Sequence, residues 1–530
     1  MTSNTDNQNV IERLRLKCFF STILCLVGLM AFAQTADQQP ETDPIITNRI
    51  SQWQDLKFGF MMHWGMYSQW EVVESWSICN EPWINRNGAD YCQYKTDYQN
   101  LNKTFNPKDF DPSKWAEAAK NAGMKYVVFT TKHHDGFCLF DTKETTYSTT
   151  DPSCPFSKNP KADITGEVVK AFREKGFWTG LYFSKPDWHC DDYWAHEWAT
   201  PDRNVNYDPT VYPERFEKYK QFTHRQIREL THNYGDIDIL WLDGGWVRPE
   251  WSVNDETRPW LGCQGYIQDI NMEEVANIAR ENNPDLIIVD RSVGGKYENY
   301  QTPEQQVPDS LLPYPWETCM SMGDSWSFVS TDEYKSTNKL IHLLCDIVAK
   351  GGNFLLNVGP DADGNLPDTA LLRLKEIGEW MQVNGGAIYG TRPIYPFCYG
   401  KFRFTQKDDK VYGIFLLDEQ EKPVPETYWF DFPSDGPSAN HIYERGVSGS
   451  RSGFLADEPS ANHISERGVS RGRSGFLADE PPANLKTGKI KVLGSKKKAS
   501  LHKETDGRYR IDFPNDVEMP HAVVFEMKLK

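Results

Sequence analysis

The strongest constraint on this chain is an alternation. From about residue 50 to residue 390, short apolar runs take turns with amphipathic stretches of helical period. The runs are Phe58-Gly59-Phe60-Met61-Met62, Tyr126-Val127-Val128-Phe129-Thr130, Trp178 to Phe183, Ile239-Leu240-Trp241-Leu242-Asp243, Leu286-Ile287-Ile288-Val289 and Asn353-Phe354-Leu355-Leu356-Asn357. Between them, Trp115, Ala118, Ala119 and Ala122 share one helical face that stops at Gly123. Ile164, Val168, Val169 and Phe172 share another that stops at Gly176, and Phe216, Tyr219, Ile227 and Leu230 mark a longer helix. Asn271 with Glu274 forms a capping box, and 371–381 is amphipathic. Nearly continuous apolar strands interleaved with helices predict an α/β fold whose parallel sheet is covered on both faces. Polar residues with chemical potential follow several of the strands: His63, His133, Asp243 and Arg291. Residues from many strand ends converging on one place favour a (β/α)8-like barrel, since an open sheet gathers its ligands at one switch point.

The helical pattern disappears after about residue 395. Val411 to Leu417, Thr427 to Phe432, Lys489 to Leu493, Tyr509 to Phe513 and Ala522 to Met527 read as short strands of a C-terminal β-sandwich. The expected division is a leader at 1–33, a barrel at 34–395 and a sandwich at 396–530. The sandwich carries an insertion at 438–481, in which a 22-residue unit occurs twice with differences only at Tyr443/Ser465, Gly449/Arg471 and Ser450/Gly472. Two copies are too few for a solenoid, and the polar unit reads as a duplicated surface loop. At the N-terminus, Arg13, Arg15 and Lys17 precede an apolar run from Cys18 to Ala33 that ends in Ala31-Phe32-Ala33. That is the pattern of a secretory leader cleaved before Gln34, too short to span a membrane comfortably, and it predicts a periplasmic or extracellular protein with no membrane insertion. The net charge of −17 argues against nucleic acid as a partner. Of 11 cysteines, Cys18 and Cys25 fall in the leader. The rest are scattered with no CxxC pair, which is neither a zinc framework nor a dense disulfide scaffold.

Asp243 ends an apolar strand, has Trp241 and Trp246 on either side, and is followed by Gly244-Gly245. A carboxylate at a barrel strand's C-terminal end is where such folds place chemistry, and the tryptophans suit a ligand with apolar faces and polar edges, such as a sugar. The plainer reading is an aspartate capping a loop. His63-Trp64-Gly65 and Lys132-His133-His134-Asp135-Gly136-Phe137 follow the first two strands. Neutral imidazoles bond sugar hydroxyls as donor or acceptor. A metal held by His133, His134 and Asp135 is the competing reading, but neighbouring residues on an extended chain point in different directions and no ligand-spacing motif is present. Glycoside hydrolysis needs a second carboxylate beside Asp243 to protonate the leaving oxygen. Glu304, Glu317 and Glu298 are the candidates.

Together these segments, with Asn357-Val358-Gly359-Pro360 and the stretch from Asn384 to Thr391, resemble the α-L-fucosidases of glycoside hydrolase family 29. The resemblance covers nearly all of the chain after the leader. It implies a β/α barrel followed by a β-sandwich, acting from the chain end on terminal α-L-fucose of fucosylated oligosaccharides or glycoconjugates with retention, and needing no metal or organic cofactor. By this resemblance Asp243 is the nucleophile and Glu304 the acid/base, chosen over Glu317 because it lies about a dozen residues beyond Arg291. The sugar contacts fall on His63, Trp76, His133, His134, Tyr182, Trp241 and Arg291. Val72-Val73-Glu74-Ser75-Trp76 matches the family's Glu-Trp-Tyr segment only loosely, and Gly386 stands where a Glu is usual. Alternatives are a glycan-binding protein on the same scaffold without catalysis and a hydrolase of fucose-containing polymers. The sequence does not determine the oligomeric state.

Overall fold

The structure is a computed structural model that describes residues 41–200, 202–419, 425–431, 485–514 and 519–529. The expected leader and the duplicated insertion lie outside these described residues.

Seven parallel strands form the first sheet: β1 (Phe58–Met62), β2 (Tyr126–Lys132), β3 (Trp178–Ser184), β4 (Ile239–Asp243), β5 (Ile287–Asp290), β6 (Glu317–Ser321) and β7 (Asn353–Asn357). Their spatial order is β5-β4-β3-β2-β1-β7-β6. The helices are α1 (Pro44–Leu56), α2 (Tyr91–Gln99), α3 (Pro112–Asn121), α4 (Ile164–Glu174), α5 (Pro213–His232), α6 (Met272–Arg280), α7 (Thr337–Ala349) and α8 (Asp368–Asn384). Side-chain oxygens start several of them: Asp111 accepts from the Ser113 N–H, Asp163 from Gly166 and Asn271 from Glu274.

The eighth place in the ring is not a regular strand. Residues 298–305 fill it, with an antiparallel bridge from Glu298 to Val289 on β5 and parallel bridges from Gln301 to Trp316 and from Glu304 to Cys319 beside and on β6. The barrel therefore closes through irregular backbone, and Glu304 sits on the closing segment.

Strand parity sorts the side chains. Met61, Tyr126, Val128, Tyr182, Ile239, Trp241, Ile287, Val289, Cys319 and Leu355 point inward and form one buried cluster. Their neighbours Phe60, Met62, Val127, Phe129, Leu181, Phe183, Leu240, Leu242, Ile288 and Phe354 point outward and pack against the helices. The base of the barrel is filled so tightly by the Tyr126 ring that a Cβ on Gly59 would lie 2.3 Å from it.

Eight antiparallel strands follow: β8 (Arg392–Tyr399), β9 (Phe402–Lys407), β10 (Lys410–Leu416), β11 (Thr427–Phe430), β12 (Gly488–Val492), β13 (Lys498–Lys503), β14 (Tyr509–Asp512) and β15 (Ala522–Lys528). They are bonded in the order β11-β14-β13-β12-β15-β10-β9-β8. The sheet bends over until Phe430 of β11 meets Phe402 and Phe404 of β9, 5.1 and 5.5 Å between ring centres, giving two layers around one core. This unit seats on α7 and α8: Asp346 pairs with Arg403, Asn338 donates to the Leu417 carbonyl at 2.9 Å, and the Trp380 indole donates to the Ala522 carbonyl at 3.2 Å.

Candidate active site

The inward alternation of each strand ends on a polar residue. Ile239 and Trp241 lead to Asp243, Ile287 and Val289 to Arg291, Asn353 and Leu355 to Asn357, and Met61 to His63. The same parity that fills the barrel thus crowns its C-terminal end with carboxylate, guanidinium, amide and imidazole.

Asp243 is held from both sides. Its Oδ1 lies 2.9 Å from Arg291 Nη1, and its Oδ2 accepts the Tyr182 hydroxyl at 2.7 Å. Burial alone would raise this carboxyl, but the Arg291 guanidinium, the Tyr182 hydroxyl and the Gly244 N–H outweigh it and hold Asp243 well below the usual carboxylate range. It is ionised at any working pH. Gly244 has φ +92°, a conformation in which a Cβ would also strike Pro186 at 2.3 Å, so the chain turns away sharply after the carboxylate.

Arg291 spans two carboxylates. Its Nη1 holds Asp243, its Nη2 pairs with Glu304 Oε2, and its Nε donates to the Thr302 hydroxyl at 3.1 Å. Glu304 also accepts the Trp326 indole N–H at 3.2 Å, and its side chain remains 30% exposed, open toward the mouth.

Three imidazoles line the opposite side, each fixed through Nδ1. Asn357 donates to the Trp326 carbonyl at 2.7 Å, which leaves its Oδ1 to accept from the His63 backbone N–H at 3.0 Å and from His63 Nδ1 at 2.8 Å. Ser184 donates to the Pro186 carbonyl at 2.6 Å, so His134 Nδ1 is the donor in its 2.7 Å contact with Ser184. His133 Nδ1 meets the Ser75 hydroxyl at 2.6 Å. These partners assign the Nδ1–H tautomer to His63 and His134, leaving Nε2 an acceptor; that of His134 lies 3.8 Å from Asp243. Burial pushes His63 down to about 4 and His134 to about 3, and lowers His133 as well, so all three are neutral near pH 7.

Most residues expected from sequence meet here. The Tyr182 and His133 rings stack 5.5 Å apart, and the neighbouring Phe183 faces the outer layer. Trp76 packs 5.4 Å from the His134 ring and 5.7 Å from Trp246. Trp241 forms the floor of the pocket. It lies one inward layer below Asp243, 2% exposed, with its ring 5.3 Å from Tyr182 and its Nε1 3.4 Å from Glu317.

Glu317 opens β6, at the end of the barrel away from Asp243. It is fully buried, accepts the Tyr126 hydroxyl at 2.5 Å, and is pushed up to about 8 by burial. Glu298 accepts the backbone N–H groups of Ser292 and Gly294 at 2.8 and 2.9 Å and so shapes a loop. Neither faces the pocket as Glu304 does.

Among the described residues one group has the donors of a metal site: His133, His134 and Asp243, whose donor atoms lie within 4.8 Å of one another. Asp135 is not part of it, since it turns to Tyr98 at 2.6 Å and the Phe137 N–H at 3.0 Å. The expectation that the paired histidines diverge is corrected. Their rings sit 4.2 Å apart because the chain has left the strand after Lys132, where alternation no longer applies. The shared carboxylate already faces a guanidinium, which repels a cation, so these donors suit sugar hydroxyls better than an ion.

Two contributors escaped sequence reading. Trp326 holds Glu304 and packs 5.1 Å from His63, yet it sits in an aperiodic Ser-Trp-Ser loop after a polar strand. Asn357 was visible as a strand terminus, but its pairing with His63 joins residues 294 positions apart.

A sequence model of the family described as Alpha-L-fucosidase matches residues 26–386. The chain is 28% identical over 393 residues to the alpha-L-fucosidase of Dictyostelium discoideum, covering 70% of this chain and 77% of that protein. It is 29% identical over 401 residues to the tissue alpha-L-fucosidase of Mus musculus, covering 71% and 80%. The solved structure of alpha-L-fucosidase isoenzyme 1 from Paenibacillus thiaminolyticus superposes with a TM-score of 0.66 at 27% identity, over 92% of this chain and all of that one, 100%. With the family's match spanning the whole barrel, the chain belongs to the alpha-L-fucosidase family, glycoside hydrolase family 29.

Proposed function

We propose that this protein is an exported, exo-acting, retaining α-L-fucosidase that removes terminal α-L-fucose from fucosylated oligosaccharides or glycoconjugates. Asp243 is the nucleophile and Glu304 the acid/base. The observation that carries this reading is the single guanidinium of Arg291 spanning both carboxylates. One side chain bridging the pair fits the close spacing, about 5–5.5 Å, that a covalent intermediate requires, in contrast to the wider gap that seats a water between them.

In the first step an Asp243 oxygen bonds to the anomeric carbon. The glycosidic C–O bond breaks, and its oxygen takes the proton of Glu304. Water then enters, gives a proton back to Glu304, and its oxygen displaces Asp243 from the sugar. Arg291 and Tyr182 hold the nucleophile in one orientation throughout, and Trp326 holds Glu304. The imidazoles of His63 and His134 present acceptor nitrogens to sugar hydroxyls, with His133 beside them. Indole faces at Trp76, Trp246 and Trp326 enclose the sugar's apolar side and its methyl group. Export is supported by the basic and apolar pattern of residues 13–33.

The test is free L-fucose released from an aryl α-L-fucoside and from α1,2-, α1,3/4- and α1,6-fucosylated oligosaccharides, with Asp243→Asn in parallel. Release that falls by at least about 10³-fold in the variant is expected. A folded wild-type protein that releases fucose from none of them would leave a glycan-binding protein or a polymer-directed hydrolase.

A further inference from the structure

The loop after β4 carries an unusual side chain. Trp251, in the short turn Glu250–Ser252, is 55% exposed, whereas Trp246 on the same loop and Trp76, Trp188, Trp194 and Trp326 on the other loops of this face are buried or half-buried, and Trp198 on the loop after β3 is 37% exposed. An indole left in water forgoes stabilisation that its large apolar face supplies when covered. A merely tolerated surface tryptophan would need no support beneath it.

This one has a rigid base. Arg248, 1% exposed, donates to three backbone carbonyls: Gly245, Ser252 at 3.1 Å and Ser292 at 2.6 Å. It thereby ties the residue next to Trp251 both to the chain two positions past Asp243 and to the chain one position past Arg291. The indole itself lies against Gly295, where a Cβ would come within 3.0 Å of the ring. Gly295 belongs to the loop that Glu298 shapes through Ser292 and Gly294. The exposed ring is therefore braced to the two strand ends that supply the nucleophile and the guanidinium, on the sector of the barrel that also holds Glu304.

We propose that Trp251 is the stacking platform of a leaving-group subsite, taking the pyranose ring to which the fucose is attached. The inference rests on the fucosidase reading and names the part of the substrate outside the pocket. The occupant follows from connectivity. Once a terminal fucose fills the pocket, the sugar bonded to it must cross the rim beside Glu304. An indole face matches the C–H face of a pyranose. The exposed Glu250 and Arg258 on the same loop offer an acceptor and donors for that sugar's hydroxyls. An aromatic held in its bound position before the ligand arrives loses little freedom on binding.

The experiment compares two substrates in the wild type, Trp251→Ala and Trp251→Phe. One is α-L-fucosyl fluoride, whose single-atom leaving group cannot reach Trp251. The other is a fucosylated trisaccharide. In Trp251→Ala the ratio of kcat/KM on trisaccharide to that on fluoride should fall about tenfold or more, mostly through KM, as truncating a binding tryptophan does. Trp251→Phe should keep most of it. A ratio that stays within about twofold in Trp251→Ala, or losses of equal size on both substrates, would overturn the platform. No fluoride release by the wild-type protein would instead sink the fucosidase reading itself.

Discussion

At the scale of single residues, the site separates three glutamates that sequence alone leaves as rivals. Glu304 touches Arg291 and Trp326 at the mouth, whereas Glu317 is sealed beneath Trp241. Glu304→Gln should lower kcat/KM on an oligosaccharide by about 10²–10⁴-fold, with a smaller loss on α-L-fucosyl fluoride, whose leaving group needs little protonation. Glu317→Gln should keep activity within about threefold, because a neutral buried carboxyl and an amide fill similar space and both accept the Tyr126 hydroxyl. Stability against pH distinguishes them further. Burial raises Glu317 from 4.5 to about 8. Between those values the folded protein keeps a proton that the unfolded chain releases, so this contribution is complete below 4.5 and is lost as pH rises through about 8. Denaturant titrations from pH 5 to 9 should therefore show a shallower alkaline decline in Glu317→Gln than in the wild type. An unchanged slope would mean that Glu317 is ionised in the fold.

At the scale of elements, the decisive device is the meeting of strand ends. β1 and β7 pair from Phe58 with Phe354 to Met61 with Asn357. That register sets Asn357 beside His63, where it accepts from both the backbone and the ring and donates to Trp326. One amide thus links a strand end, an imidazole and the loop that holds Glu304. Asn357→Ala should cost about 1–3 kcal/mol, the range for leaving buried donors without partners. Fucoside kcat/KM should fall by at least about tenfold, because His63 and Trp326 lose their common anchor. Urea unfolding and steady-state kinetics on one preparation would check both. A variant as stable and as active as the wild type would show that neighbouring contacts alone position His63. β6 reads Glu-Thr-Cys-Met-Ser, too polar to look like a strand, because its inward positions Glu317 and Ser321 bind other side chains. α7 keeps only a narrow polar stripe, Lys339, His342 and Asp346, because nine of its residues from Thr337 to Ala349 are buried between the barrel and the second sheet.

At the scale of the whole molecule, a barrel with its polar crown and a folded-over antiparallel sheet are joined through α7 and α8. Export, the part of the functional reading that rests on residues 1–33, predicts a mature protein that starts at Gln34. N-terminal sequencing of material made in a secreting host would check it, and an intact Met1 would sink it. The sequence by itself determined the class of fold, the alternation of strands and helices, and the residue types at strand ends, because these follow from local periodicity and from which side chains end each apolar run. Asp243, His63 and Arg291 were legible for that reason, and the family resemblance supplied their roles. Tertiary structure alone decided the rest. It put Glu304 rather than Glu317 beside Asp243, because irregular backbone closes the ring at 298–305. It sank Trp241 to the floor, because inward parity places it one layer below the carboxylate. It assigned the ring nitrogens of His63 and His134, because Asn357 and Ser184 are oriented by partners of their own. Each of these depends on groups far apart in the chain meeting at hydrogen-bond distance, and no local pattern of residues encodes such a meeting.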